Sequence, residues 1–263
     1  MTLVGIWENV YGSRMTLAAQ GDGIVGIYES TTGSTGEYLV SGWQLDTEPG
    51  EGAGQPVALA IEWHSIVEGP SDASWNWVSA LGGQINLIGG QEALILSHLL
   101  VASSDFIGLC DRGIYTDRLT YHRVSDAPPP QGCARRGEPA PRDPLAGEWI
   151  TADGVRLDLV VTPDTQGYFG YLAGTMVLED ATLTLAGFTD VNAMPAGLAH
   201  QSVSITAKDA TRKVTVALGG WMECHTGVLT LQRLTNRVTT AANNYIQTDI
   251  RPLEFRRPVK QVS

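Results

Sequence analysis

Apolar and polar residues alternate in short runs along most of the chain, with Gly, Pro, Asn and Asp between the runs. A two-residue period sends successive side chains to opposite faces, so each run reads as a strand with one face on a core. The first half supplies runs at 14–18, 23–28, 37–43, 57–63, 75–81 and 93–101. The second supplies 155–161, 167–172, 182–188, 201–207, 213–218 and 227–234. No sustained helical stripe appears, and only 103–111 has room for a short turn of helix. Short strands at near-regular spacing predict a sandwich or a barrel.

Residues 126–144 break the pattern. They read DAPPPQGCARRGEPAPRDP, rich in proline and charge, and proline runs favour extended chain that cannot enter a sheet interior. The break leaves one domain at 1–125 and a second at 145–258. The halves echo each other in order. Gly5-Ile6-Trp7 is matched by Gly147-Glu148-Trp149, and Leu39-Val40-Ser41-Gly42-Trp43 by Leu183-Thr184-Leu185-Ala186-Gly187-Phe188. Ala80-Leu81-Gly82-Gly83 is matched by Ala217-Leu218-Gly219-Gly220, and Ile114-Tyr115-Thr116-Asp117 by Ile246-Gln247-Thr248-Asp249. Four echoes split by one linker indicate a duplicated domain. A half of about 120 residues suits an eight-stranded antiparallel barrel, which closes without edges and has room inside for side chains or one small ligand.

Composition narrows the partners. The net charge of −11 would repel a phosphate backbone, so nucleic acid is not expected. No apolar run approaches the roughly 20 residues of a membrane helix, and no polybasic segment suits an anionic membrane. The basic tail at Arg251, Arg256, Arg257 and Lys260 reads as a solvated end. Met1–Trp7 runs straight into a strand-like segment with no signal peptide. The expected location is the cytoplasm, or outside the cell if a leader was removed. Cys110, Cys133 and Cys224 lack a disulfide or metal spacing and read as buried free thiols, with one pair left open.

The first half resembles the avidin/streptavidin family over nearly all its length. The carrying segments are Gly5-Ile6-Trp7-Glu8-Asn9-Val10-Tyr11-Gly12-Ser13, Gly26-Ile27-Tyr28-Glu29-Ser30, Tyr38-Leu39-Val40-Ser41-Gly42 and Ala60-Ile61-Glu62-Trp63. A strand bearing Trp75 and Trp77 and a closing Thr116-Asp117 follow. The resemblance implies two tandem up-and-down barrels of avidin/streptavidin type, the first gripping biotin or a biotin-like ligand in its open mouth. It also implies side-by-side pairing of the two barrels within a chain, a pseudo-dimer, and two chains assembling as a pseudo-tetramer.

Biotin's ureido head is a carbonyl flanked by two N–H groups, and a buried polar group without a partner costs about 1–3 kcal/mol. The family's pattern places Asn9, Ser13 and Tyr28 as donors to that carbonyl, and Ser30 and Asp117 as acceptors for the N–H groups. Trp63 with Trp75 or Trp77 would wall the apolar ring. The loop holding Thr32 and Ser34 would lie over the tail carboxylate, and Tyr11 would narrow the mouth. Trp7 reads as a plug at the barrel base. Two aromatic walls of the family are absent: His98 stands at one position, bringing a titratable group, and Leu109 at the position that lends a tryptophan to a neighbour. Weaker biotin binding is the expectation.

The second half is worse equipped, with Thr151 for Asn9, Val155 for Ser13 and Leu172 for Tyr28. Lys208 or Ala207 falls near the place of Trp63, Arg233 or Gln232 near that of His98, and Asp249 persists. It reads either as a barrel kept for fold and interface or as a pocket re-tuned to an anion around Lys208 and Arg233. No nucleophile elbow, phosphate loop or metal-ligand spacing is visible. No catalytic residue, metal or cofactor is assigned, and biotin is a candidate ligand. The alternatives are a cyclase or isomerase in the same pocket, with an interior ionisable pair drawn from His98 or Glu62, and a barrel kept only for structure.

Overall fold

The computed structural model describes residues 3–50, 52–67, 69–126, 136–240 and 248–258. The first barrel is a meander of β1 Gly5–Asn9, β2 Arg14–Gln20, β3 Gly23–Ser30, β4 Gly36–Gln44, β5 Gln55–Glu62, β6 Val78–Ile88, β7 Gln91–Ala102 and β8 Gly113–Ser125. Each strand pairs with the next, and β1 pairs back onto β8. The second repeats the order with β9 Gly147–Thr151, β10 Arg156–Pro163, β11 Gly170–Leu178, β12 Ala181–Thr189, β13 His200–Asp209, β14 Val214–Glu223, β15 Leu229–Arg237 and β16 Thr248–Arg256, closed by β16 on β9. Both are closed eight-stranded antiparallel barrels, so neither leaves a free edge.

Alternation fills both interiors. In the first, Trp7, Met15, Tyr28 and Tyr38 are successive cross-strand partners in one buried cluster. In the second the same chain of partners is Trp149, Leu157, Met176 and Leu183. Each barrel's base is plugged alike. Trp7 donates its indole N–H to the Leu3 carbonyl at 2.8 Å, with the Arg123 guanidinium 4.3 Å above the ring. Trp149 donates to the Leu145 carbonyl at 2.8 Å, with Arg257 at 3.9 Å.

The repeated Gly-Gly step has a packing cause. The first glycine of each pair lies where the barrels touch: a Cβ on Gly82 would come 2.7 Å from the Asn236 amide, and one on Gly219 2.9 Å from the Ala80 methyl. The second lies under a neighbouring strand, where a Cβ would sit 1.9 Å from the Ile95 carbonyl oxygen at Gly83 and 2.0 Å from that of Thr230 at Gly220. Small residues on these outward faces, including Ala58, Ala60, Ala80 and Ala217, let the two sheets approach closely. Hydrogen bonds cross the junction: Ser204 Oγ donates to the Ser79 carbonyl at 2.7 Å, Ser202 Oγ to that of Asn76 at 2.6 Å, and Trp43 Nε1 to that of Thr206 at 3.1 Å.

Three local expectations are corrected. Trp75 belongs to a single 3-10 turn, Ala73–Asn76, capped by Asp72, whose carboxylate accepts the Ser74 N–H. The strand begins only at Val78. Segment 103–111 holds no helix, because a bridge between Phe106 and Cys110 closes it as a tight loop. Residues 136–144 are not free linker throughout: Gly137 and Ala140 donate to the carbonyls of Pro163 and Val161, and Arg136 lies 4.9 Å over the Tyr171 ring. Cys110 and Cys224 are free and only half-buried, while Cys133, Ile246, Gln247 and Lys260 lie outside the described residues.

Candidate functional site

The mouth of the first barrel is the end carrying the loops 10–13, 31–35, 63–77 and 103–112. Asn9 ends β1 buried there, its Oδ1 accepting the N–H groups of Tyr11 and Ser13 at 3.0 Å each. That turn fixes the side chain and leaves the amide N–H₂ for the lumen. Tyr121 on β8 is Asn9's cross-strand partner and is fully buried. Its hydroxyl lies beside Tyr28 and Asn9 but meets hydrogen-bond geometry with neither. Burial pushes this phenol well above its ordinary pKa, so it stays a neutral donor. Tyr121 was not singled out from sequence, although alternation from Asp117 through Leu119 places it on the inward face.

Ser13 is engaged. Its Oγ accepts the Thr31 N–H at 3.2 Å and pairs with Thr31 Oγ1 at 3.1 Å. Thr31 Oγ1 itself donates to the Tyr11 carbonyl at 3.0 Å. The Ser13 proton therefore goes to Thr31, and Ser13 pins the 31–35 loop over the mouth. Ser30 donates to the Thr32 carbonyl at 2.9 Å, which leaves its oxygen free to accept. Thr32 is exposed. Ser34 is tied down: it donates to Asp72 at 2.9 Å and meets the Tyr38 hydroxyl and Ser74 Oγ at 2.8 Å each. Asp72, Ser74 and Tyr38 thus lash the loop to 63–77, a role not read from sequence. The Tyr11 side chain is 59% exposed on the rim, and the narrowing expected of it does not occur.

The aromatic walls resolve. Trp63 is buried against Tyr28 and Tyr38, with ring centroids at 5.9 and 4.8 Å. Trp77 is buried in the same cluster, donates to Ser104 and meets Phe106 edge-on at 5.8 Å. Trp75 is turned away: it packs on His64 at 3.7 Å, and His64 stacks on Tyr168 of the second barrel at 4.2 Å. Leu109 is 48% exposed and would touch a Cβ on Gly33 of the loop 31–35, so it borders its own barrel's mouth.

His98 lies on the inward face of β7, directly opposite Asp117 on β8. Trp63 Nε1 donates to Ser79 Oγ at 2.8 Å, and Ser79 Oγ lies 2.7 Å from His98 Nε2. An indole only donates, so the serine proton is left for His98 Nε2, which then accepts as a neutral ring. Desolvation pulls His98 down to about 4, with the Asp117 charge acting the other way. Asp117 shares the inward face of Leu119 and Tyr121 but is exposed at the rim, where its Oδ1 accepts the Arg118 N–H at 2.6 Å. Glu62 faces the junction between the barrels, not the lumen. It is almost wholly buried, accepts the N–H groups of Leu39 and His64, and desolvation lifts it to about 8. Glu62 therefore supplies no member of an ionisable pair in the lumen.

Pairing registers carry each position into the second barrel. Tracing them round gives Thr151 for Asn9 and Met176, not Leu172, for Tyr28. Asp209 stands for Trp63, Arg233 for His98, Arg251 rather than Asp249 for Asp117, and Phe255 for Tyr121. Lys208 points outward, bonding Asp22 of the first barrel at 2.8 Å.

The fold and this mouth define two closed meander barrels in one chain, of which the first has an aromatic-walled interior with polar groups gathered at its mouth. Among solved structures the chain is similar to xenavidin, at 21% identity over 47% of this chain and 97% of that one, with a TM-score of 0.37. It is also similar to apo shwanavidin, at 19% identity over 47% of this chain and 100% of that one, with a TM-score of 0.35. No family model matches the chain, and no curated protein matches it.

Proposed function

We propose that the first barrel reversibly binds biotin, or a small molecule with the same ureido-like head, and that the second barrel does not share this site. The orphan Tyr121 hydroxyl carries this reading. A buried phenol without a partner is costly, and here it sits beside the Tyr28 hydroxyl and the Asn9 side chain, three groups able to donate. Ser30 keeps a free acceptor oxygen, and Trp63 and Trp77 supply apolar walls. A carbonyl flanked by N–H groups on an apolar ring matches that order of groups. Neutral His98 in place of an aromatic wall weakens the grip, since losing one aromatic anchor commonly costs about 2 kcal/mol or more and each 1.4 kcal/mol is tenfold.

The two barrels of one chain act in this reading as a built-in pair, and two chains form a pseudo-tetramer. Sedimentation at micromolar concentration tests the assembly, two chains per particle being the expected mass. Calorimetric titration with biotin tests the site. Saturable binding that weakens at least tenfold in Asp117→Ala and in Tyr28→Phe supports it. No heat at millimolar biotin, or unchanged affinity in both variants, overturns it.

A further inference from the structure

The second barrel's interior holds two buried polar atoms, Arg233 Nε and Thr235 Oγ1, that have no hydrogen-bond partner among the described residues. Arg233 and Thr235 lie two apart on β15, on the face shared with Leu229 and Leu231, which belong to the barrel core. The alternate residues Leu234 and Asn236 face the first barrel, so Arg233 and Thr235 point into the lumen. Arg233 Nε is sealed from solvent with no acceptor, and Thr235, 8% exposed, has a hydroxyl with no partner. A guanidinium cannot shed its charge to escape this cost.

The surroundings sharpen the imbalance. Arg233's direct cross-strand partner is Arg251, and like charges placed opposite each other repel. The nearby acids are already matched. Arg251 holds Asp249 at 2.8 Å, and Arg212 gathers Asp209, Glu179 and Asp180. Arg233 makes no hydrogen bond or ion pair among the described residues. Below it the lumen is aliphatic, with Leu157, Met176, Leu183 and Val216 where the first barrel has Met15, Tyr28, Tyr38 and Ser79. Two of the loops that cover the first mouth, 31–35 and 63–77, are replaced by tight turns at Glu179–Asp180 and 210–213.

We infer that the second barrel binds a small aliphatic carboxylate, its head on Arg233 and Thr235 and its tail among Met176, Leu183 and Val216. A carboxylate supplies the acceptors that Arg233 Nε and the Thr235 hydroxyl lack and offsets the Arg233–Arg251 repulsion. An aliphatic body suits the walls, which offer no group for a polar head such as a ureido ring.

Calorimetric titration of the full chain with octanoate in phosphate-free buffer tests the inference, with octan-1-ol as the uncharged comparison. The expected result is saturation at one octanoate per chain and at least tenfold weaker octanol binding. Arg233→Met should weaken octanoate at least tenfold, and Thr235→Val, a near-isosteric change that relieves an orphan hydroxyl, about threefold. Asp117→Ala should leave octanoate binding unchanged. No saturation at millimolar octanoate, equal binding of the alcohol, or unaltered binding in both β15 variants overturns it, as does loss of binding in Asp117→Ala. If Arg233→Met fails to fold, judged by its melting curve, Thr235→Val decides alone.

Discussion

The two barrels are nearly the same molecule at their bases and different ones at their mouths. Trp7 and Trp149 occupy equivalent positions, each donating to the carbonyl four residues before it, with an arginine on the ring face. The Gly-Gly step keeps the same two duties in both. At the other end, Asn9, Tyr28, Trp63 and Tyr121 become Thr151, Met176, Asp209 and Phe255. Two of the loops there shrink to turns so tight that Glu179 and Lys213 adopt φ of 58° and 55°, a conformation that side chains resist. The base and the junction are under packing constraint, where a single lost ring leaves a cavity. A mouth is constrained only by what it holds, so the contrast teaches which parts serve the fold and which serve a ligand.

The largest effect that would break this comparison is at the base. Trp7→Ala and Trp149→Ala should each cost about 3–5 kcal/mol, and by similar amounts, read from urea unfolding. A difference of more than about 2 kcal/mol would mean the plugs are not equivalent.

Next comes the junction. Glu62 is lifted to about 8 by burial. Because its folded pKa lies above its ordinary 4.5, the stability of the protonated form is full below 4.5 and is lost as pH rises through 8. Each step of one in pKa is worth about 1.4 kcal/mol. Glu62→Gln should flatten the fall in melting temperature between pH 5 and 8, whatever it does to the absolute value, since an amide N–H₂ would confront one of the two donating backbone N–H groups. An unchanged slope would place the titration elsewhere.

An exchange across the barrels sharpens the mouth. Tyr121→Phe should leave the free protein as stable or up to about 2 kcal/mol more so, while weakening biotin about tenfold. The reverse change, Phe255→Tyr, should destabilise by about 1–3 kcal/mol, because it buries a hydroxyl among aliphatic groups. Thermal melts with and without ligand read both. The smallest expected effect is at the rim of the junction: Asp22→Asn, breaking the exposed pair with Lys208, should change stability by less than about 1 kcal/mol.

Alternation was enough to read the tandem barrels, because closed sheets with one face inward leave a period of two that loops interrupt cleanly. The Asn9, Tyr28 and Trp63 wall was readable because its residues lie on regular strands. Trp75 and Trp77 were not separable by period, since the Asp72-capped 3-10 turn rotates the chain between them. Its signal was Asp72 two residues before Ser74. Leu172 was matched to Tyr28 by local resemblance and falls four residues short of Met176, because the β10–β11 hairpin is six residues longer than its counterpart in the first barrel. Asp249 misled in the same way, for pairing with Thr235 rather than Arg233 moves it one inward position along β16. Ser13 and Ser34 show a further limit: their hydroxyls are committed to neighbours that only the folded loops bring near.

The central claim is that one mouth of the two takes biotin. Native mass spectrometry of the intact chain in rising biotin counts occupied sites directly. One adduct per chain, absent in Tyr28→Phe/Asp117→Ala, is the predicted result. Two adducts per chain, or one that survives both substitutions, would contradict the account.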